Sequence, residues 1–337
     1  MSQTDPKPTA SSARKFGIGL ALVALPVAAA VTVWQLKQDQ DKNNDELERG
    51  FKYDDTALRQ IDPKLIGYHE VGKLSAGMAK PTCMGIGPAG QIYIAGDRLA
   101  KVLDSRGAEI LSFPLDGEAT CIAAGLAGDI YIGVGSHVQV YHSDGKFKAS
   151  WVSLGVGSQI SSIAVGEKSI YVADSGSRVG HLVVFDLDGN RTGELAKENP
   201  KAGIAGIITP STHMNGAVSA DGNIWVANPG RHQLEQYSPA GELLKSLGQS
   251  GTGIEQFLGC CNPSDFALLS DGRIVTAEKG VPRVKVYKDD GHLVSVVAGP
   301  DNFGANRQGI NLAGDAQGRV LVLEPGTSDI RIFAEKS

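Results

Sequence analysis

The chain has 337 residues, 43 of them glycine, with 42% hydrophobic and 20% charged residues and a formal net charge of −5. The apolar content exceeds what a disordered chain carries, and the glycines follow no strict period, which excludes collagen. The negative balance argues against nucleic acid as a partner.

Residues 1–15 are polar, with Lys7, Arg14 and Lys15 against one acid, Asp5. Phe16 to Leu36 then run 21 residues without a charge, enough for a helix to cross ~30 Å of hydrocarbon. Lys and Arg cluster before this run, so it reads as a single-pass signal-anchor with a cytoplasmic tail. The bulk of the chain then faces the periplasm or the extracellular space. A cleaved signal peptide is the competing reading, because Pro26 precedes Ala28, Ala29 and Ala30; either way the rest of the chain is exported. Residues 37–62 form a polar juxtamembrane spacer, expected to be helical over Asn44–Arg59 and to end at Asp62-Pro63.

One pattern then recurs six times, opened by Gly90, Gly128, Lys168, Gly222, Gly272 and Gly318 at intervals of 38, 40, 54, 50 and 46 residues. Each unit holds a short apolar strand, a glycine turn, an alternating strand such as IYIAG, a second turn and a further strand such as HLVVFD. An Asp-Gly or Ala-Gly turn (Asp144-Gly145, Asp188-Gly189, Ala240-Gly241, Asp290-Gly291) leads into a last strand. These turns need positive φ, which accounts for the glycine excess. Periods near this length signal propeller blades.

Stretches such as SIAVGEKSIYVADSGSRVGHLVVFDLDGN resemble NHL repeats over about residues 68–337. The resemblance implies an all-β six-bladed β-propeller over residues 63–337. The sixth unit stops after its third strand, so residues 66–74 are expected to complete the last blade and close the ring.

In such a fold the first strand of each unit is innermost. Aligning the units places Cys83, Cys121, Ser162, Asn215, Asp265 and Asn311 in a ring at one mouth of the channel, with Cys260, Cys261 and His213 nearby. Three readings of the cysteines stay open. They form disulfides, in which one of the adjacent pair bridges to Cys83 or Cys121. They form a thiolate site of Cys83, Cys121, Cys260 and Cys261 for a transition metal or an iron–sulfur cluster. Or they are inert packed thiols.

Asn215, Asp265 and Asn311 are oxygen donors of the kind calcium takes, and the resemblance to lactonase-like propellers implies ligands there. Simple turn hydrogen bonding is the alternative. Asp97, Asp174, Asn228, Glu278 and Glu324 match at the ends of second strands and are expected to cap turns. The basic segment Glu278–Lys285 reads as a solvated hairpin or a docking turn. NHL propellers host many functions. The expected role is a protein-interaction or ligand-binding module, with a membrane complex or protein as partner. The alternative is a metal-dependent, lactonase-like hydrolase or a thiolate redox protein.

Overall fold

The computed structural model describes residues 56–303, 309–324 and 327–336. The apolar run 16–36, the cytoplasmic tail and all but the end of the spacer lie outside the described residues. Among the described residues no helix is long and apolar enough to cross a membrane. Of the helix expected over Asn44–Arg59, the described part is one turn, Thr56–Arg59. Asp62 caps the short 3-10 turn that follows, accepting from the Lys64 N–H at 2.9 Å.

From there the chain forms six antiparallel sheets arranged as blades. The first four begin at the inner strands Pro81–Ile86, Ala119–Ala124, Ile160–Val165 and Gly216–Val218. The last two begin at Asp265–Leu268 and Asn311–Gly314. The sixth blade is completed by β1 (Tyr68–Ser75), which pairs antiparallel with Asp329–Glu335 from Tyr68↔Glu335 to Ser75↔Asp329. The expected ring closure is therefore present, and the strand that follows the spacer is bonded to the carboxyl-terminal one.

The second strands carry IYIAG, IYIGV, IYVAD, IWVAN, IVTA and VLVL, and every residue in them is buried. This corrects the expectation of alternation. A blade has a neighbour on each face, so both sets of side chains leave water, and branched and aromatic residues fill both sides. The outer strand Phe147–Ser150, paired on one side only, is by contrast largely exposed. The core is accordingly divided among the blade interfaces. One cluster joins Tyr93, Ala95 and Val102 of the first blade to Ile130, Ile132 and Tyr141 of the second. Another joins Val284 and Val286 of the fifth to Val320, Val322 and Tyr68 of the sixth. Equivalent clusters fill the other four interfaces.

The turns into the outer strands work as their composition requires. Gly145, Gly189, Gly241 and Gly291 adopt φ between +80° and +89°, which L side chains rarely reach. Each is followed by a register shift in the ladder, the signature of a glycine bulge.

Candidate functional site

The aligned ring exists, and its polar members are tied into a belt around the channel. Ser162 Oγ donates to Asn215 Oδ1 at 2.5 Å, linking the third and fourth blades. The Asn215 side-chain amide donates to Asp265 Oδ1 and, at 2.9 Å, to the Phe266 carbonyl of the fifth blade. Asp265 Oδ2 accepts from the Leu312 N–H of the sixth blade at 2.8 Å. Asn311 Nδ2 donates to the Thr82 carbonyl of the first at 3.2 Å. Thr82 Oγ1 in turn donates to the Ala119 carbonyl of the second at 2.8 Å. Thr82 and Ser161, whose hydroxyl donates to the Met214 carbonyl at 2.7 Å, are belt members that the alignment passed over by one position.

Inside the belt lies a channel of about 1110 Å³, walled mainly by the six inner strands. Its lining mixes the polar belt members with apolar residues such as Met84, Ile86 and Leu268.

Cys83 and Cys121 occupy the two ring positions that face apolar neighbours. Cys83 packs in the interface of the first and second blades, and Cys121 in that of the second and third. Cys121 Sγ lies against Gly133, where an added Cβ would fall 2.6 Å away. Burial pushes the Cys83 thiol up to about 12 and raises that of Cys121 as well, so both stay protonated and are poor thiolate donors. Cys260 and Cys261 sit elsewhere, on the loop entering the fifth blade, with their sulfurs 3.1 Å apart. All four thiols are free. Among the described residues no three His, Cys, Asp or Glu side chains gather as a metal site requires. The single four-sulfur centre expected from the alignment is thus split between blade interfaces and a rim loop.

The oxygen side is equally ill-suited to calcium. Asp265 is the ring's one carboxylate, and three N–H groups already point at it: Leu312 N, Phe266 N at 2.8 Å, and the Asn215 amide. Asn215 Oδ1 is taken by the Ser162 hydroxyl and the Gly216 N–H. Donors directed at the same oxygens compete with a cation, which takes six to eight free oxygen ligands.

Desolvation raises the Asp265 carboxyl to about 7, against the lowering effect of those N–H donors. The folded state therefore binds this proton more tightly than the unfolded chain between pH ~4 and ~7. The resulting stabilisation is complete below the lower value and is lost as pH rises through the upper one. Denaturant unfolding across this range is expected to show that slope in the native protein. In Asp265→Asn the slope should be absent, a difference on the order of a few kcal/mol across the window. An unchanged pH profile in the variant would place the titration elsewhere.

The acids and amide at the second-strand ends cap backbone, as expected. Asp97 accepts from Lys80 N at 2.7 Å, Asp174 from Gln159 N at 2.8 Å, Asn228 from Ile208 N at 2.9 Å and Glu278 from Leu258 N at 2.8 Å. Each one pins the loop that leads into its own blade, so the same device repeated around the ring fixes the rim.

The basic segment is different from either expectation. Arg283 and Lys285 are buried with Glu278 rather than solvated or free to dock. Arg283 grips both Glu278 oxygens, and Lys285 Nζ lies 3.4 Å from Oε2. Lys285 also donates to the Ile254 and Gln256 carbonyls at 3.0 and 2.8 Å and stands 4.8 Å from the Phe257 ring centroid. The cluster holds the loop that carries the two rim cysteines.

Only Lys279 of this segment reaches the rim. Its Nζ donates to Ser211 Oγ at 2.9 Å and lies 3.5 Å from His213 Nδ1, which is 3.3 Å from the same hydroxyl. Burial first, then the Lys279 charge, lowers His213 to about 4, so its imidazole is neutral at physiological pH. Gly309 admits the ring, since an added Cβ would fall 2.7 Å from it. Cys261 joins this group through Ser211 and Lys279. His213 was legible from its distance to Asn215 in sequence. Ser211 was not, because only the fold brings loop 209–214 against loop 258–264.

No family model matches the chain, and no curated protein matches it. Solved propellers do. A streptogramin B lyase is similar at 11% identity over 80% of this chain and 98% of that one, with a TM-score of 0.54. A protein of unknown function from Bacteroides thetaiotaomicron is similar at 16% identity over 80% and 76%, with a TM-score of 0.56. The WD40 β-propeller domain of Doa1 is similar at 12% identity over 76% and 79%, with a TM-score of 0.53. At these identities the likeness establishes the propeller fold alone.

Proposed function

We propose that the protein is a membrane-tethered, exported propeller of degenerate NHL-type repeats whose loop-bearing channel mouth binds a partner within a membrane complex. One observation carries the binding reading. The loops around the mouth are pinned to strand ends by Asp97, Asp174, Asn228 and Glu278, so the rim is preformed and recognition costs little ordering. Lys279, Ser211 and His213 supply its polar contacts. The tether rests on the uncharged run Phe16–Leu36, and the exported side on the Lys and Arg that precede it. A lactonase-like reading draws no support from the oxygen ring, where the Asp265 and Asn215 oxygens are already taken by N–H and O–H donors.

Cys260 allows both parts to be tested together, being exposed while Cys83, Cys121 and Cys261 are buried. A membrane-impermeant maleimide carrying a photo-crosslinker is added to intact cells expressing the full-length chain. Labelling without lysis is expected, followed on irradiation by a discrete crosslinked species. Labelling only after lysis overturns the exported placement. The same species arising from an Asp144→Cys, Cys260→Ser chain, labelled on a turn between outer strands, overturns the rim as the binding face.

A further inference from the structure

The adjacent cysteines carry an inference beyond partner binding. Their sulfurs are 3.1 Å apart. Their exposure is unequal: Cys260 is open to solvent and Cys261 is buried. Burial and then the contact with Cys260 hold the Cys261 thiol above its ordinary range, while the Lys279 charge and the Ser211 hydroxyl pull the other way. The loop is held firmly on either side of the pair. Asn262 Oδ1 accepts from Lys279 N at 2.9 Å, its amide donates to the Lys279 carbonyl at 3.0 Å, and Leu258 N is pinned by Glu278. One accessible thiol, one sheltered thiol beside a cation, and a fixed loop together make an attacking and a resolving pair.

We propose that Cys260 and Cys261 form a vicinal-dithiol site at the channel rim that undergoes thiol–disulfide exchange with incoming disulfides. Cys260 loses its proton to solvent and attacks one sulfur of R–S–S–R′, forming a Cys260–S–S–R mixed disulfide. R′–S⁻ leaves and takes up a proton. Once the mixed disulfide has formed, Cys261 gives its proton to solvent, its developing thiolate facing the Lys279 charge and the Ser211 hydroxyl, and attacks the Cys260 sulfur. R–S⁻ departs and is protonated, and the Cys260–Cys261 disulfide closes. The net change is two protein thiols and one disulfide to one protein disulfide and two thiols. Neighbouring Cα atoms lie closer than the ~4.4–6.8 Å of relaxed disulfides, so the product is strained and returns readily to the dithiol, as exchange sites do. Lys279 acts as a positioning charge for the second step alone.

The test treats the reduced full-length protein with oxidised glutathione, followed by thiol counting and peptide mass analysis. In the native chain two thiols should disappear, two glutathiones be released, and the peptide spanning residues 260–261 lose two hydrogens. Cys261→Ser should halt at glutathione bound to Cys260, and Cys260→Ser should leave Cys261 unreacted. Lys279→Met should slow ring closure about tenfold without slowing formation of the mixed disulfide in the Cys261→Ser background, and Lys279→Arg should restore it. A native chain that retains glutathione on Cys260 overturns the proposal, as does one in which Cys260 or Cys261 becomes linked to Cys83 or Cys121. These outcomes are independent of the crosslinking result, because they need no partner at the rim.

Discussion

Glu278→Ala is expected to lower the unfolding free energy by about 3–5 kcal/mol, the range for stripping one partner from a buried ionic cluster. Glu278 and Lys285 are fully buried and Arg283 is 2% exposed, so neither cation gains water when the carboxylate goes. Lys285 already sits at about 8, lowered mainly by desolvation and supported by Glu278. Removing that support lowers it further. The unfolded chain then binds this proton more tightly than the folded one, so the variant's stability rises as pH increases between those values and the ordinary lysine range. The deficit against the native protein should therefore narrow when unfolding is repeated above about pH 9. Arg283 remains charged throughout and keeps the deficit from closing. Urea unfolding at both pH values gives the answer, and a loss below about 1 kcal/mol would mean that water replaces the carboxylate.

The same substitution reaches the rim. Glu278 pins Leu258 N, and the cations it neutralises hold the Ile254 and Gln256 carbonyls. The loop bearing Cys260 and Cys261 is thus anchored by charges that read in sequence as a solvated hairpin. Nothing in the order Glu-Lys-Gly-Val-Pro-Arg-Val-Lys tells which cations turn inward. The deciding fact is that loop 249–258 folds over Arg283 and Lys285, and that loop is distant in sequence and lacks any repeat.

Ser162, Asn215, Asp265 and Asn311 of the belt were legible because each occupies the same place in a repeated unit, and register is inherited from the repeat. Thr82 and Ser161, one position earlier, were not. What the belt does was less so. Small polar side chains at strand starts suit ligands and inter-blade hydrogen bonds equally well in composition. Only the placement of Leu312 N, Phe266 N and the Ser162 hydroxyl shows that the oxygens of Asp265 and Asn215 are taken. The cysteines diverged for a related reason. Ring positions 83 and 121 were aligned correctly, yet the alignment is blind to which side of the strand meets a neighbouring blade. Loop residues 260 and 261 have no repeat to fix them at all.

Removal of β1 should have the largest effect of any change outside the ionic cluster. A chain beginning at Ala76 loses the pairing from Tyr68↔Glu335 to Ser75↔Asp329. It also loses Tyr68, 1% exposed, from the interface between the fifth and sixth blades, a deletion that alone costs about 3–5 kcal/mol for a large aromatic. The sum is comparable with the ~5–15 kcal/mol total stability of an ordinary domain. The truncated chain is expected to aggregate or pair through the bared edge of Asp329–Glu335, since an unpaired strand is a template for another. Size-exclusion chromatography and thermal unfolding would show it, and a monomer that melts within a few degrees of the full chain would mean that β1 is dispensable. Surface contacts also brace the closing strand. Arg331 makes two bonds to Glu70, and the Lys336 ammonium one to the Ile66 carbonyl at 2.8 Å. Glu70→Ala with Lys336→Ala should therefore lower stability by only about 1 kcal/mol, as exposed pairs do. The ladder and Tyr68, not the surface charges, keep the ring shut.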